Sequence, residues 1–95
     1  MRLTNQQLEV IKTVVRNTIK EPEIYVFGSR TDDAKRGGDI DILVLGEEHF
    51  GVEMILRMKI LLKEQLGDRR IDLIYQQKGR TDAFAELVKL EGVPV

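Results

Sequence analysis

The sequence has no cysteine, so neither a disulfide framework nor a thiolate metal site can be built from it. A reducing compartment is compatible with that. Its single histidine, His49, lies in the polar turn GEEHF, reads as a surface residue and is assigned no role. No apolar run approaches the roughly 20 residues of a membrane-spanning helix, and the opening MRLTNQQLEV lacks the apolar core of a secretory signal. The expected location is the cytoplasm, with no membrane partner.

Neither sign of charge dominates. Lys and Arg number 15 against 16 Asp and Glu, a formal net charge of -1. Nonspecific nucleic-acid binding draws on a surplus of basic side chains, so it has no global support, and any anion site must be local. The 95 residues suffice for one domain, expected to span 1–95. Such a chain buries only about 60 to 65% of its unfolded surface, so the core will be thin. A hydrophobic share of 42% beside 33% charged residues describes an ordinary soluble globular chain without low-complexity segments or repeats.

Thr4 followed by Gln7 reads as a capping box, and Leu8, Ile11, Val15 and Ile19 recur at helical spacing up to Pro22. Ile24 to Phe27 and Ile40 to Leu45 are β-rich runs bounded by glycine. Val52 to Leu66 carries a helical stripe with Gly67 placed to end it. Met54, Met58 and Leu61 add a second flank, which either packs under the last helix or docks a partner or a second copy, making a homo-oligomer. RIDLIY, Arg70 to Tyr75, is a third strand. TDAFAELVKLEG is a last helix capped by Thr81 or Asp82, with Phe84, Leu87 and Val88 inward and an end at Gly92.

The order αββαβα predicts an α/β (α+β) fold: a small mixed sheet with helices on one face and an open face for chemistry. Strands two and three, joined through a helix, should run parallel. The pairing direction of strands one and two stays open.

Strand residues alternate between faces, so Asp39 and Asp41 project together, away from Ile40, Ile42 and Val44. Like charges that close repel unless a cation sits between them. Oxygen ligands without Cys or His select a hard cation, Mg²⁺ or Mn²⁺. Asp72, in IDLI of the third strand, faces opposite Ile71, Leu73 and Tyr75, and an adjacent strand would set it beside the pair. Three such carboxylates are the minimum set for two divalent ions in a phosphoryl displacement. Upstream, Gly28 permits close backbone approach and Ser29 offers a hydroxyl and an N–H to phosphate. Arg30, Lys35 and Arg36 divide between phosphate contacts and a solvated loop, with Arg30 the preferred contact.

Gly-Ser, nine residues and then Asp-x-Asp, in FGSRTDDAKRGGDIDILVLG, together with RRIDLIY, resembles the nucleotidyltransferase superfamily that includes DNA polymerase β and kanamycin nucleotidyltransferase. The short chain is similar to its minimal branch over nearly all of its length. The resemblance implies a polymerase β palm-like fold and a phosphate-gripping turn at Gly28 and Ser29. It also implies paired metal ligands at Asp39 and Asp41, and a third carboxylate at Asp72 that helps activate the acceptor hydroxyl. Gly38 departs from the serine that many members carry before the first aspartate. The implied activity is transfer of a nucleoside monophosphate, AMP from ATP, to a hydroxyl with two Mg²⁺ ions. Members of the minimal branch pair with an all-helical HEPN protein as antitoxin and toxin, and some transfer AMP to a tyrosine of that partner.

The bland reading of a lone Asp-x-Asp is a solvated strand edge, and that of Asp72 is a surface pair with Arg69 or Arg70. The combination with Gly28-Ser29 favours chemistry. A rival function is a catalytically weak antitoxin that neutralises its partner by stoichiometric binding. A Toprim-type site needs a glutamate on an earlier strand and no Gly-Ser turn, and Glu23 stands in the wrong place for it. A haloacid-dehalogenase pattern fails because Leu43 occupies its threonine position.

Overall fold

The computed structural model describes residues 3–27, 39–67 and 69–95. Helix α1 (Asn5–Thr18) begins at the expected capping box: the Gln7 backbone N–H donates to Thr4 Oγ1 at 3.1 Å, and the Thr4 N–H donates to Gln7 Oε1 at 2.8 Å. Two backbone donors that a helix start leaves orphaned are thereby satisfied. Strands β1 (Glu23–Phe27) and β2 (Ile40–Gly46) follow, then α2 (Val52–Leu66), β3 (Ile71–Gln77), α3 (Ala83–Glu91) and a two-residue β4 (Val93–Pro94). Gly67 ends α2 with φ 89°, a left-handed conformation that costs glycine little.

The sheet order is β3-β2-β1-β4. β2 pairs parallel with β3 and antiparallel with β1, and β4 pairs antiparallel with β1. The parallel pair is as expected, and the antiparallel direction of β1 closes the question left open above. β4 was not legible beforehand. It is two residues long and contains Pro94, which is tolerated at a sheet edge where no ladder donor is needed.

α1 and α2 cover one face. Ile24, Val26, Ile40, Ile42, Val44, Ile71 and Leu73 meet Ile11, Val14, Val15, Met58 and Leu62 there in one buried cluster. The third helix departs from the expectation of a single covered face, because Ala85 and Val88 of α3 form a second buried cluster with Leu43 and Leu45. The cause lies in β2, which is buried continuously from Ile42 to Gly46 and so needs apolar cover on both sides.

Two further placements differ from expectation. Ala85 and Val88 point inward on α3, while Phe84 and Leu87 are exposed; small Ala85 lets the helix lie close to the sheet, and Leu87 then falls on the outer side. Met58 is fully buried in the α1-side cluster and Met54 packs against that cluster, not under α3. Among the described residues no helix is long and apolar enough to cross a membrane.

Candidate active site

The second face has two zones. Beneath α3 it is apolar, with Leu43, Leu45 and Ile74. At the other end stands a row that crosses three strands at one level: Phe27 of β1 is the register partner of Asp41 of β2, and Asp41 is the register partner of Asp72 of β3. Neighbouring strands lie about 4.8 Å apart, and register partners project to the same face. The row is held from below by Ile40, Ile42, Ile71 and Leu73, all buried on the reverse side. The Ile40 N–H, which donates to the Arg70 carbonyl at 2.9 Å, fixes the mouth of the parallel pair.

Asp41 and Asp72 are therefore brought side by side, Asp41 half-buried and Asp72 with its side chain 40% exposed. Asp39 lies one residue before β2 and is exposed. Gly28, Ser29, Arg30, Lys35, Arg36 and Gly38 lie outside the described residues, although Gly28 is bonded directly to Phe27, the partner of Asp41.

Arg70 Nε lies 3.5 Å from Asp72 Oδ1, with the arginine side chain 73% exposed. This is the surface pair that the bland reading of Asp72 requires. An ion pair so exposed contributes about 0.2 to 1 kcal/mol, so a cation with better geometry can displace it. Among the described residues no three acidic, imidazole or thiol side chains converge closely enough to hold an ion by themselves. The donor set nonetheless suits a hard divalent ion, since it consists of carboxylates alone, and Mg²⁺ commonly takes one or two carboxylates and completes its shell with substrate phosphate and water.

Tyr25 and Asp82 have shifted acidities. The pKa of the Tyr25 hydroxyl, one row inward on the same face, is pushed above its ordinary value by burial and by the hydrogen bond it donates to Glu23 at 3.1 Å. Asp82 caps α3 by accepting the Ala85 N–H at 2.9 Å; that bond first, and then the Gln76 side chain, hold its carboxyl below the usual range.

Sequence reasoning placed Phe27 in the first strand and Phe84 on the last helix but missed that the two meet. Their rings meet edge to face, with centroids 5.5 Å apart and planes at 73°. The available signal was the position of Phe27 beside Gly28, but its juxtaposition with Asp41 needed the strand direction.

Among curated proteins, the probable protein adenylyltransferase MntA of Haemophilus influenzae is 25% identical over 88 residues, covering 92% of this chain and 76% of the relative. Among solved structures, a chain from the Shewanella oneidensis complex of a tri-AMPylated HEPN toxin with an MNT antitoxin superposes with a TM-score of 0.72. It is 22% identical, with 97% of this chain and 71% of that one covered. A toxin-antitoxin structure with AMP-PNP gives a TM-score of 0.72 at 23% identity, covering 97% and 72%. At those identities the structures establish a shared fold. The nucleotidyltransferase domain family, whose members generally use divalent metal ions, is matched over residues 8–92, and the chain belongs to it.

Proposed function

We propose that the chain, as a single domain over 1–95, transfers AMP from ATP to a hydroxyl on a HEPN-type toxin in the cytoplasm, and acts as that toxin's antitoxin. The observation that carries this reading is the side-by-side register of Asp41 and Asp72 on the face of a nucleotidyltransferase fold. The partner and the nucleotide are supported by the relatives: an adenylyltransferase, an AMPylated HEPN toxin bound to an MNT antitoxin, and a toxin-antitoxin structure with AMP-PNP.

Asp39, Asp41 and Asp72 are the residues that would hold Mg²⁺, as two ions, with Mn²⁺ the nearest substitute. When bound, the ions neutralise phosphate charge and polarise the α-phosphate. Gly28, Ser29 and Arg30 are proposed to grip the triphosphate. The acceptor oxygen attacks the α-phosphorus, an oxygen–phosphorus bond forms, the bond to the β-phosphate oxygen breaks, and pyrophosphate leaves. Asp72 takes the hydroxyl proton at a carboxylate oxygen, and apolar Ile40, Ile42 and Ile71 beneath the row keep Asp41 and Asp72 in register.

The test is a mass-shift assay of the toxin with ATP and Mg²⁺. Wild type should add AMP units, and Asp39→Ala with Asp41→Ala should add none; equal modification by both would reject these roles.

A second reading, inhibition by stoichiometric binding, is favoured by one feature. Val52, Leu56 and Ile60 recur four residues apart on the outer side of α2, with Val52 70% and Ile60 59% exposed, as a docking stripe would. Under that reading the double-alanine variant still neutralises the toxin in cells. Loss of neutralisation with the complex intact rejects it.

A further inference from the structure

The row that sets Asp41 beside Asp72 has an aromatic end. Phe27 shares the face of Asp41 across one strand spacing, and its ring is braced against the second cluster. Phe84, on the first turn of α3, closes on it edge to face. Anchoring α3 does not account for Phe84: Ala85 and Val88, fully and almost fully buried, already fix the helix to Leu43 and Leu45, whereas 43% of Phe84 stays in solvent. A partly exposed ring packed against a second ring, at the end of a carboxylate row, is a surface suited to a flat apolar group on a ligand whose charged part lies over the carboxylates.

The spacing suits a nucleotide. Phe27 stands one strand spacing, about 4.8 Å, from Asp41, and the Phe84 ring centre lies 5.5 Å from that of Phe27, so both rings are neighbours of the carboxylate row, as a base would be with its phosphates over the carboxylates. Base–aromatic stacking is strong and tolerant of base identity, because every base has a π-face.

We infer that the Phe84 ring, braced by Phe27, is the stacking platform for the base of the bound nucleotide. The inference rests on the nucleotidyltransfer reading above and adds residues to it. It implies weak discrimination between purines, since a stacked face carries no hydrogen-bond code.

The experiment compares the full-length wild type with Phe84→Ala, Phe84→Leu and Phe84→Tyr by calorimetric titration. Each is titrated with AMP-PNP and with inorganic tripolyphosphate, both with Mg²⁺; tripolyphosphate lacks base and sugar. Phe84→Ala and Phe84→Leu should bind AMP-PNP roughly 5- to 160-fold more weakly and tripolyphosphate as wild type does, while Phe84→Tyr keeps AMP-PNP affinity. Melting curves check that each variant folds, as expected for a residue this exposed. Unchanged AMP-PNP affinity in Phe84→Ala overturns the inference, and so does an equal loss for both ligands. A rise in the acceptor's KM with AMP-PNP binding intact overturns it in favour of an acceptor contact. Failure of wild type to bind AMP-PNP removes the nucleotidyltransfer reading itself, which separates the two failures.

Discussion

Asp41 and Asp72 occupy facing positions on two parallel strands, so two like charges stand one strand spacing apart on a sheet with apolar residues beneath them. Such a pair opposes folding unless something cationic accompanies it. Converting Asp72 to Asn removes the repulsion together with the exposed contact to Arg70, two effects of opposite sign. The expected change in stability is within about 1 kcal/mol, while transfer to the acceptor falls by roughly 100-fold or more, the scale of a lost general base. Denaturant titration and the mass-shift assay measure the two quantities separately. A variant that loses neither stability nor activity would return Asp72 to the role of a surface ion pair.

If Asp72 holds a divalent ion as proposed, Arg70 competes for the same carboxylate. Its guanidinium lies 3.5 Å from the carboxylate and must give way before an ion takes that oxygen. Arg70→Gln should therefore tighten Mn²⁺ binding by about 1.4- to 5-fold, the free energy of an exposed ion pair expressed as a ratio. Calorimetric titration of Mn²⁺ checks this, and weaker binding would mean that Arg70 assists the site instead of competing.

Gly46 is a packing constraint. A Cβ built there would lie 2.5 Å from the Tyr75 hydroxyl and 2.8 Å from Ile19 Cγ2, and that hydroxyl donates to the Glu48 carbonyl. Gly46→Ala should destabilise by about 1 to 3 kcal/mol, as overpacking does. In a Tyr75→Phe background part of that cost should vanish, because the closest clash is with the hydroxyl. Urea unfolding of the four chains in the cycle measures the coupling, and additive effects would show that the clash is relieved elsewhere.

The parts of the fold that the sequence made legible are those where local chemistry and periodicity agree. Thr4 with Gln7, the stripe from Val52 to Leu66, and Gly67 each fix an element through contacts made within it. Asp41 and Asp72 were legible because alternation assigns a strand's faces and a helical crossover implies parallel neighbours. Phe27 beside Asp41 was not, because the loop between β1 and β2 permits either pairing direction. Phe84 and Leu87 were misread because hydrophobicity alone ranks them above Ala85, whereas close approach of helix to sheet selects the small residue. The second covered face was readable in ILVL, four apolar residues that no single layer of helices can bury.

The helix-one capping box gives a surface test. Thr4→Ala leaves the Gln7 N–H without its side-chain acceptor and should cost about 0.5 to 2 kcal/mol, with transfer activity unchanged because α1 packs on the face opposite the carboxylate row. Loss of activity beyond the fraction unfolded would show that α1 reaches the site.

Both tyrosines of the chain resist ionisation. Burial is the leading cause for each; Glu23 reinforces it at Tyr25, and Glu48 with Glu47 reinforce it at Tyr75. The folded-state values are thus raised above the ordinary 10.0, which means that the folded chain holds these protons more tightly than the unfolded one does. The resulting stabilisation is fully present below pH 10.0 and is lost as pH rises through the folded values, where unfolding releases protons. Phenolate absorbance should therefore rise at higher pH in the native chain than in the urea-unfolded chain, and the urea midpoint should fall across the same alkaline interval. In Tyr75→Phe the absorbance change halves, and the remaining step, from Tyr25, still lies above that of the unfolded chain. If native and unfolded titrations coincide, neither hydroxyl is shielded, and the packing of Tyr75 against Phe50 at 5.3 Å does not persist in solution.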